Sequence, residues 1–226
     1  LIGAESLIRW QHPERGLVPP DAFIPIAEET GFIKELGRWV VEEACRQLSL
    51  WRKEGWEFHL SVNVSACQIP DALPVSQLIE ITDRHGLPPH TLALEITEGV
   101  LLSDVNKGLT WLNGLHAAGF RAYLDDFGTG YSSLSYLKRF PVDTVKVDKS
   151  FVREMSEDTS DRTLVEAVVV MARALGMTVV AEGIENADQL ILLRGMGCRY
   201  GQGYHFSKPV PPEDFIAAAD RVSKLL

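Results

Sequence analysis

The chain has 226 residues, of which 22 are Lys or Arg and 31 are Asp or Glu, so its formal net charge is −9. A composition of 46% hydrophobic and 23% charged residues is typical of a globular protein with a large core, which excludes intrinsic disorder. The acidic balance disfavours binding to polymeric nucleic acid. Three scattered cysteines, Cys45, Cys67 and Cys198, exclude a disulfide scaffold and are predicted to be core residues.

The chain contains no apolar run near the roughly 18 residues that a membrane span requires, and no signal-peptide pattern. We therefore expect a cytoplasmic domain that makes no membrane contact itself, although an upstream segment could anchor the full-length protein. The length of the chain suits a single domain over residues 1–226. Because the sequence starts at Leu1 without an initiator Met, this domain is predicted to be a C-terminal fragment of a larger protein.

Seven β-rich runs follow one another along the chain, separated by turns and helical patterns. They are residues 2–10, 58–64, 91–97, 120–124, 144–147, 178–181 and, more weakly, 199–203. Apolar residues at spacings of three or four predict amphipathic helices over residues 36–51, 105–115, 164–175 and 215–222. Gly55, Gly119 and Gly176 follow the first three of these stripes as stop signals.

Alternating strands and helices predict parallel strands joined by crossovers, in either an open doubly wound sheet or a closed (β/α)8 barrel. Most of the predicted strands end in a polar side chain that could bind a ligand or take part in catalysis. In a barrel, the carboxyl ends of the strands surround one opening, so such side chains would lie close together. This favours a TIM-type (β/α)8 barrel. Seven runs, and a length below the usual ~250 residues, predict that the first strand precedes Leu1 and is missing from this chain.

The polar residues at these strands include five acids and one Lys, which together carry a formal charge of −4: Glu5, Glu95, Asp125, Asp126, Glu182 and Lys146. A single acid after a strand is commonly a helix cap, but that explanation does not suit five of them. Two divalent cations would neutralise the set, and oxygen ligands favour Mg or Mn over zinc. Asn63 would add a carbonyl ligand. Lys146 could orient a water molecule or balance developing charge, and the chemistry indicated is hydrolysis of a phosphate ester.

The segment DDFGTGYSSL, residues 125–134, is predicted to run from a strand into a helix that starts near Ser132 or Ser133. It contains glycines but lacks the Lys of a P-loop. Its two leading acids would repel a bare phosphate, so it is not interpreted as a nucleotide-phosphate cradle.

Seven ordered motifs resemble those of the EAL domain family, which hydrolyses cyclic di-GMP in bacterial signalling proteins. They are AESLIRW (4–10), NVS (63–65), EITE (95–98), DDFGTGYSSL (125–134), VKVD (145–148), AEGIE (181–185) and GQGY (201–204). The resemblance implies a (β/α)8-type barrel whose first strand is antiparallel to the others. The Tyr-Gln-Pro motif of that strand has no counterpart here, and Ser6 stands where the name-giving motif has Ala.

The resemblance also implies roles for individual residues. The implied ligands of the first metal are Glu5, Asn63, Glu95, Asp125 and Glu182, and Asp125 and Asp126 are the implied ligands of the second. Lys146 resembles a Lys that contacts the attacking water, and Gln202 a Gln that holds a water or metal ligand. Arg9 resembles an Arg that meets a substrate phosphate. Glu185 is similar to a supporting acid, and Glu98 to an acid that steadies the DDFGTGYSSL loop.

The implied activity is that of a cyclic di-GMP phosphodiesterase that uses two Mg or Mn ions to produce linear pGpG. The alternative is a catalytically silent cyclic di-GMP receptor or regulatory module, in which such ligands are commonly lost. Since this chain retains them, hydrolysis is the favoured expectation. The family further implies a homodimer, and an upstream sensory or GGDEF domain in the full-length protein.

Overall fold

The computed structural model describes residues 1–129 and 137–224, in which strands and helices alternate along the chain. The strands are β1 (Gly3–Ser6), β2 (Trp10–His12), β3 (Gly16–Val18), β4 (His59–Asn63), β5 (Leu92–Thr97), β6 (Arg121–Phe127), β7 (Thr144–Val147), β8 (Thr178–Ala181) and β9 (Tyr200–Gly201). The helices are α1 (Pro20–Thr30), α2 (Ile33–Lys53), α3 (Val75–Arg84), α4 (Glu98–Ser103), α5 (Val105–Ala118), α6 (Lys149–Glu154), α7 (Thr159–Ala174), α8 (Ala187–Gly195) and α9 (Pro212–Ser223). Within these residues, no helix is both long and apolar enough to span a bilayer.

The chain divides into two compact units. The N-terminal unit comprises Ile2–Ile96 and Val100–Ala122, and the C-terminal unit comprises Leu1, Thr97–Gly99 and Tyr123–Leu226. Each contains parallel strands with helices between them, which is the α/β pattern that the sequence predicts.

In the N-terminal unit, β4 pairs in parallel with β1 on one side and with β5 on the other. The register places Glu5 opposite Ser61, and Asn63 opposite Glu95. Strand β5 is buried along most of its length, as expected for a parallel strand covered on both faces. Helix α2 contacts β4 and buries an apolar stripe that includes Val41, Leu48 and Trp51, and this stripe matches the predicted helix over 36–51.

In the C-terminal unit, β7 pairs in parallel with β6 and β8, and β8 with β9. Strand β7 is fully buried, including the side chain of Lys146. Helix α7 contains residues 164–174 of the predicted stripe, with Leu175 as its C-cap, and buries Val165, Val168 and Ala172. Parallel strands place their carboxyl ends at one edge of a sheet, so the polar residues at those ends are neighbours.

Three local predictions were wrong. The first β-rich run is two strands, because β2 turns away from β1 and pairs with β3 as an antiparallel hairpin. Strand β6 continues through Asp125 and Asp126 to Phe127 instead of ending at Leu124. Cys67 is exposed and not part of the core, since it lies in a short 3-10 turn that buries its neighbour Gln68 instead. Residues 130–136, with the helix start predicted at Ser132 or Ser133, lie outside the described residues.

Candidate metal centre

The C-terminal unit brings five predicted site residues to the carboxyl ends of four parallel strands. Asp125 and Asp126 are near the end of β6, and Lys146 is the penultimate residue of β7. Glu182 and Gln202 directly follow β8 and β9. The strand-end pattern in the sequence therefore correctly groups these side chains at one edge of this sheet.

Lys146 lies between two carboxylates. Its Nζ is 2.7 Å from Glu182 Oε1 and 3.1 Å from Asp125 Oδ1, and the Lys side chain is only 2% exposed. A buried ammonium is tolerated when carboxylates satisfy its charge and its donors. The predicted role of Lys146 thus has a structural component, because this cation holds the two acids close together.

Gln202 fixes the same carboxylate from another side. Its Nε2 donates a hydrogen bond to Glu182 Oε1 at 2.8 Å, while its backbone nitrogen donates to the carbonyl of Ala181 at 2.8 Å. The carboxylate of Glu182 therefore receives donors from both neighbouring strands, which restricts its orientation.

An irregularity in β6 allows two consecutive acids to share one site. Leu124 pairs with Val145 and Phe127 with Val147, so Asp125 and Asp126 together oppose the single residue Lys146. Successive side chains of a regular strand point to opposite faces, and a bulge breaks that alternation. Asp126 has a positive φ of 52°, a backbone conformation that non-glycine residues adopt rarely and that often marks functional sites.

The resulting acidic cluster consists of Asp125, Asp126 and Glu182, which offer carboxylate oxygens that all lie within 4.8 Å of one another. Burial and the negative charges of Asp125 and Asp148 raise the pKa of Asp126, although Lys146 opposes this shift. The three carboxylates and the ammonium of Lys146 sum to a formal charge of −2. Oxygen donors with an excess of negative charge are suited to a hard divalent cation, so these residues fit the predicted metal.

Asp148 is a neighbour that the sequence analysis did not single out, although it is the last residue of VKVD. It is buried and caps α6 by accepting hydrogen bonds from the backbone and hydroxyl of Ser150. Burial raises the pKa of Asp148, but hydrogen bonds from Ser150 and Lys149 outweigh burial and hold it below its usual value. The Asp148 carboxylate is therefore a fixed negative charge close to Asp126.

The N-terminal unit contains a second group of predicted ligands. Asn63, at the end of β4, donates from Nδ2 to Glu5 Oε1 at 2.8 Å, and it lies opposite Glu95 on β5. Glu95 is buried, whereas Asn63 is exposed. The strand register therefore brings all three residues together within this unit, as their strand positions predict.

The loop after Asn63 is closed by a reciprocal capping arrangement. Gln68 Oε1 accepts a hydrogen bond from the backbone nitrogen of Ser65 at 2.8 Å, and Ser65 Oγ accepts one from the backbone of Cys67 at 3.2 Å. Ser65 Oγ also donates to Glu28 Oε1 at 2.6 Å. The backbone beside Asn63 is thus anchored to helix α1.

The remaining predicted residues lie on loops or a helix start. Arg9 is exposed between β1 and β2, and its guanidinium donates to the carbonyl of Ile8 at 2.8 Å. Glu98 is the half-buried first residue of α4. Glu185 is exposed in the loop after β8 and, among the described residues, does not join the acidic cluster.

Comparison with known proteins identifies relatives along almost the whole chain. The family model described as EAL domain matches residues 1–209. A relative from Pseudomonas aeruginosa, named bifunctional diguanylate cyclase/cyclic di-GMP phosphodiesterase MucR, is 42% identical over 96% of this chain and 32% of its own length. The cyclic di-GMP phosphodiesterase PdeR of Escherichia coli K12 is 41% identical over 93% of this chain and 32% of its own length. The chain therefore spans about a third of the length of these curated relatives.

Solved structures share the fold. The structure titled PaMucR Phosphodiesterase, c-di-GMP complex superposes with a TM-score of 0.90 at 42% identity, covering 93% of this chain and 86% of that one. A second, titled EAL Enzyme Bd1971 in its cAMP and cyclic-di-GMP bound form, gives 0.89 at 34% identity, covering 95% and 59%. These similarities confirm the predicted TIM-type α/β fold class.

Proposed function

The chain belongs to the EAL domain family, and from that premise we propose that it hydrolyses cyclic di-GMP to linear pGpG with divalent cations. The observation that supports this most is the arrangement at the strand ends of the C-terminal unit, where Lys146 pairs with Asp125 and Glu182 beside Asp126. The activity named for the relatives, cyclic di-GMP phosphodiesterase, supplies the substrate class.

Candidate cation ligands occur in each unit, taken separately. In the C-terminal unit, Asp125, Asp126 and Glu182 provide carboxylate oxygens. The assignment of Glu5, Asn63 and Glu95 to the first ion rests on the family motifs. Mg or Mn held by these residues would supply Lewis-acid chemistry and would lower the pKa of a bound water, so that the water could act as a nucleophile at neutral pH. Hydrolysis adds that water across one P–O bond of the cyclic dinucleotide, giving a terminal phosphate and a free hydroxyl.

In the proposed reaction, side chains of this chain orient the attacking water and bind the substrate. Lys146 is a hydrogen-bond donor whose charge its two carboxylates balance, so its proposed task is to hold the attacking water and not to remove the proton. Gln202 keeps Glu182 in place through the bond between them. The exposed guanidinium of Arg9 suits a substrate phosphate, because its planar donors match phosphate oxygens. Glu185 and Glu98 are proposed as supporting acids.

The decisive experiment incubates the purified chain with cyclic di-GMP and Mg or Mn, and follows pGpG by chromatography, with a chelated sample and a binding measurement in parallel. Metal-dependent pGpG is the expected result. Binding without turnover would instead favour the receptor module, and neither binding nor turnover would overturn both functions for this chain.

Several wider expectations remain predictions. They are the homodimer, the upstream sensory or GGDEF domain, the cytoplasmic location and the single-domain organisation. Analytical ultracentrifugation of the chain tests the first of these directly, since a dimer of this 25.1 kDa chain has twice its mass.

A further inference from the structure

Gln189 is a buried polar side chain in the C-terminal unit, 2% exposed, on the first turn of α8. Its Oε1 accepts hydrogen bonds from the backbone nitrogens of Glu185 at 2.7 Å and Asn186 at 3.2 Å. Its Nε2 donates to the backbone carbonyl of Arg153, in the last turn of α6, at 3.2 Å. One side chain therefore joins the loop after β8 to the end of another helix.

The hydrogen bond from Gln189 to Arg153 is not needed to cap α8. Asn186 is the N-cap of α8 and accepts a hydrogen bond from the backbone of Gln189 at 3.0 Å, so the two residues form a reciprocal capping box. The bond to Arg153 is additional, and it reaches a segment 36 residues away. Helix α6 follows β7, the strand that carries Lys146, and the Gln189-bound loop begins at Glu182, directly after β8. Gln189 thus connects the segments behind the two members of the 2.7 Å ion pair.

The opposite side of the same loop is held by the segment after β9. Ile184 donates from its backbone to the carbonyl of Gln202 at 3.1 Å and accepts from the backbone of His205 at 2.9 Å. A Cβ at Gly203 would lie 2.2–2.3 Å from backbone atoms of Ile184, so the two segments are in close contact there. With Ile184 fixed on one side, Gln189 provides the restraint on the other, next to Glu185.

We propose that Gln189 is a positioning residue for the metal centre, which it supports by fixing the backbone of Glu185 and Asn186 in the loop that begins at Glu182. This inference rests on the proposed function and deepens it. Ligand groups must be held within about 0.5 Å of their productive positions, and loss of a residue that supports metal ligands typically weakens metal binding by about 10–100-fold. Without the Gln189 side chain, the loop that begins at Glu182 loses its hydrogen bonds at Glu185 and Asn186, and its link to Arg153 is lost with them.

The test compares two substitutions with a matched control. Gln189→Met keeps the length of the side chain but removes every hydrogen bond it makes. Gln189→Glu keeps acceptors for Glu185 and Asn186 while losing the donor to Arg153. The control is Asp158→Ala, which removes the N-cap of α7 and its 2.6 Å bond from Ser160 without touching the loop after β8.

The readouts are the Mn²⁺ dissociation constant from titration calorimetry, and hydrogen exchange at the amides of Glu185 and Asn186, both below the unfolding temperature of each variant. We expect Gln189→Met to weaken Mn²⁺ binding 10–100-fold and to accelerate exchange at both amides. Gln189→Glu should show an intermediate loss, and Asp158→Ala should bind Mn²⁺ like the wild type. If Gln189→Met does not fold, Gln189→Glu carries the comparison.

If Gln189→Met bound Mn²⁺ with unchanged affinity while the wild type turned over normally, only this inference would be overturned, and Gln189 would be a helix cap alone. A wild type that binds Mn²⁺ but forms no pGpG would overturn the proposed hydrolysis, while the change in Mn²⁺ affinity would still decide the role of Gln189. A wild type without Mn²⁺ binding would overturn both.

Discussion

Replacing Lys146 by Met should separate the structural role of this cation from its role in turnover. In the wild type, its ammonium is buried between Asp125 and Glu182, whose side chains are only 12% and 13% exposed. Removing one partner of a buried ion pair costs about 3–5 kcal/mol, because the other charge is left uncompensated. For a chain of this size, that loss corresponds to a fall in Tm of roughly 10 °C.

Divalent cations should reverse part of this loss. Without the ammonium, the formal charge of the acidic cluster and its Lys changes from −2 to −3, so the variant should bind Mn²⁺ at least as tightly as the wild type. A free ligand concentration of about 100 times the dissociation constant adds about 2.7 kcal/mol to the free energy of unfolding. Turnover should nevertheless fall by about 10²-fold or more, which is typical when a positioned donor is lost.

The assay is urea unfolding in EDTA and in Mn²⁺, together with pGpG formation. The matched control is Lys107→Met, because Lys107 is 63% exposed and lies 3.8 Å from Asp104. An exposed pair of this kind contributes about 0–1 kcal/mol. If the Lys146 variant in EDTA lost no more stability than the Lys107 variant, the buried ion pair would not stabilise the site and the reasoning would be refuted.

Three further predictions concern other groups. Glu182→Gln should abolish pGpG formation and weaken Mn²⁺ binding, because it removes one negative charge from the acidic cluster; wild-type turnover would contradict its assigned role. Glu98→Ala should lower turnover with Tm unchanged, and full turnover of this variant would contradict the role of Glu98 in steadying the DDFGTGYSSL loop. Burial and the charge of Arg121 lower the pKa of His59 to about 4, so between pH 6.5 and 4 the unfolded chain binds a proton that the folded chain does not. The free energy of unfolding should therefore decrease as the pH is lowered through that window, by up to about 3 kcal/mol. His59→Gln should reduce the slope of the urea midpoint plotted against pH. Parallel plots for the variant and the wild type would exclude His59 as the cause.

The sequence predicts the parallel strands well where burial is continuous. Strands such as β5 and β7 are covered on both faces, so they appear as apolar runs interrupted by one polar residue. Those interruptions, Glu95 and Lys146, are proposed site residues, and their chemical types are visible without coordinates. The hairpin of β2 and β3 was missed because Trp10 continues the apolar pattern of β1, and pattern alone does not show that the chain has turned.

The finer geometry of the site depends on contacts that are distant in sequence. Two adjacent acids suggest a metal site, but the positive φ of Asp126 and the shifted register with β7 follow from the packing of neighbouring strands. Asp148 resembles an ordinary helix cap, and its effect on Asp126 is electrostatic. Gln189 likewise shows only a capping pattern in the sequence, since its bond to Arg153 joins residues 36 positions apart.

The same closing device occurs at two of the loops that carry site residues. After Asn63, the loop ends in a capping box made by Gln68, and after Glu182, another loop ends in the box made by Gln189. Each box fixes its turn through bonds between residues at most four positions apart. Because each box is also tied to a distant helix, through Ser65 to Glu28 and through Gln189 to Arg153, an exchange of residues within either turn must keep these anchoring side chains for the scaffold on either side to retain its geometry.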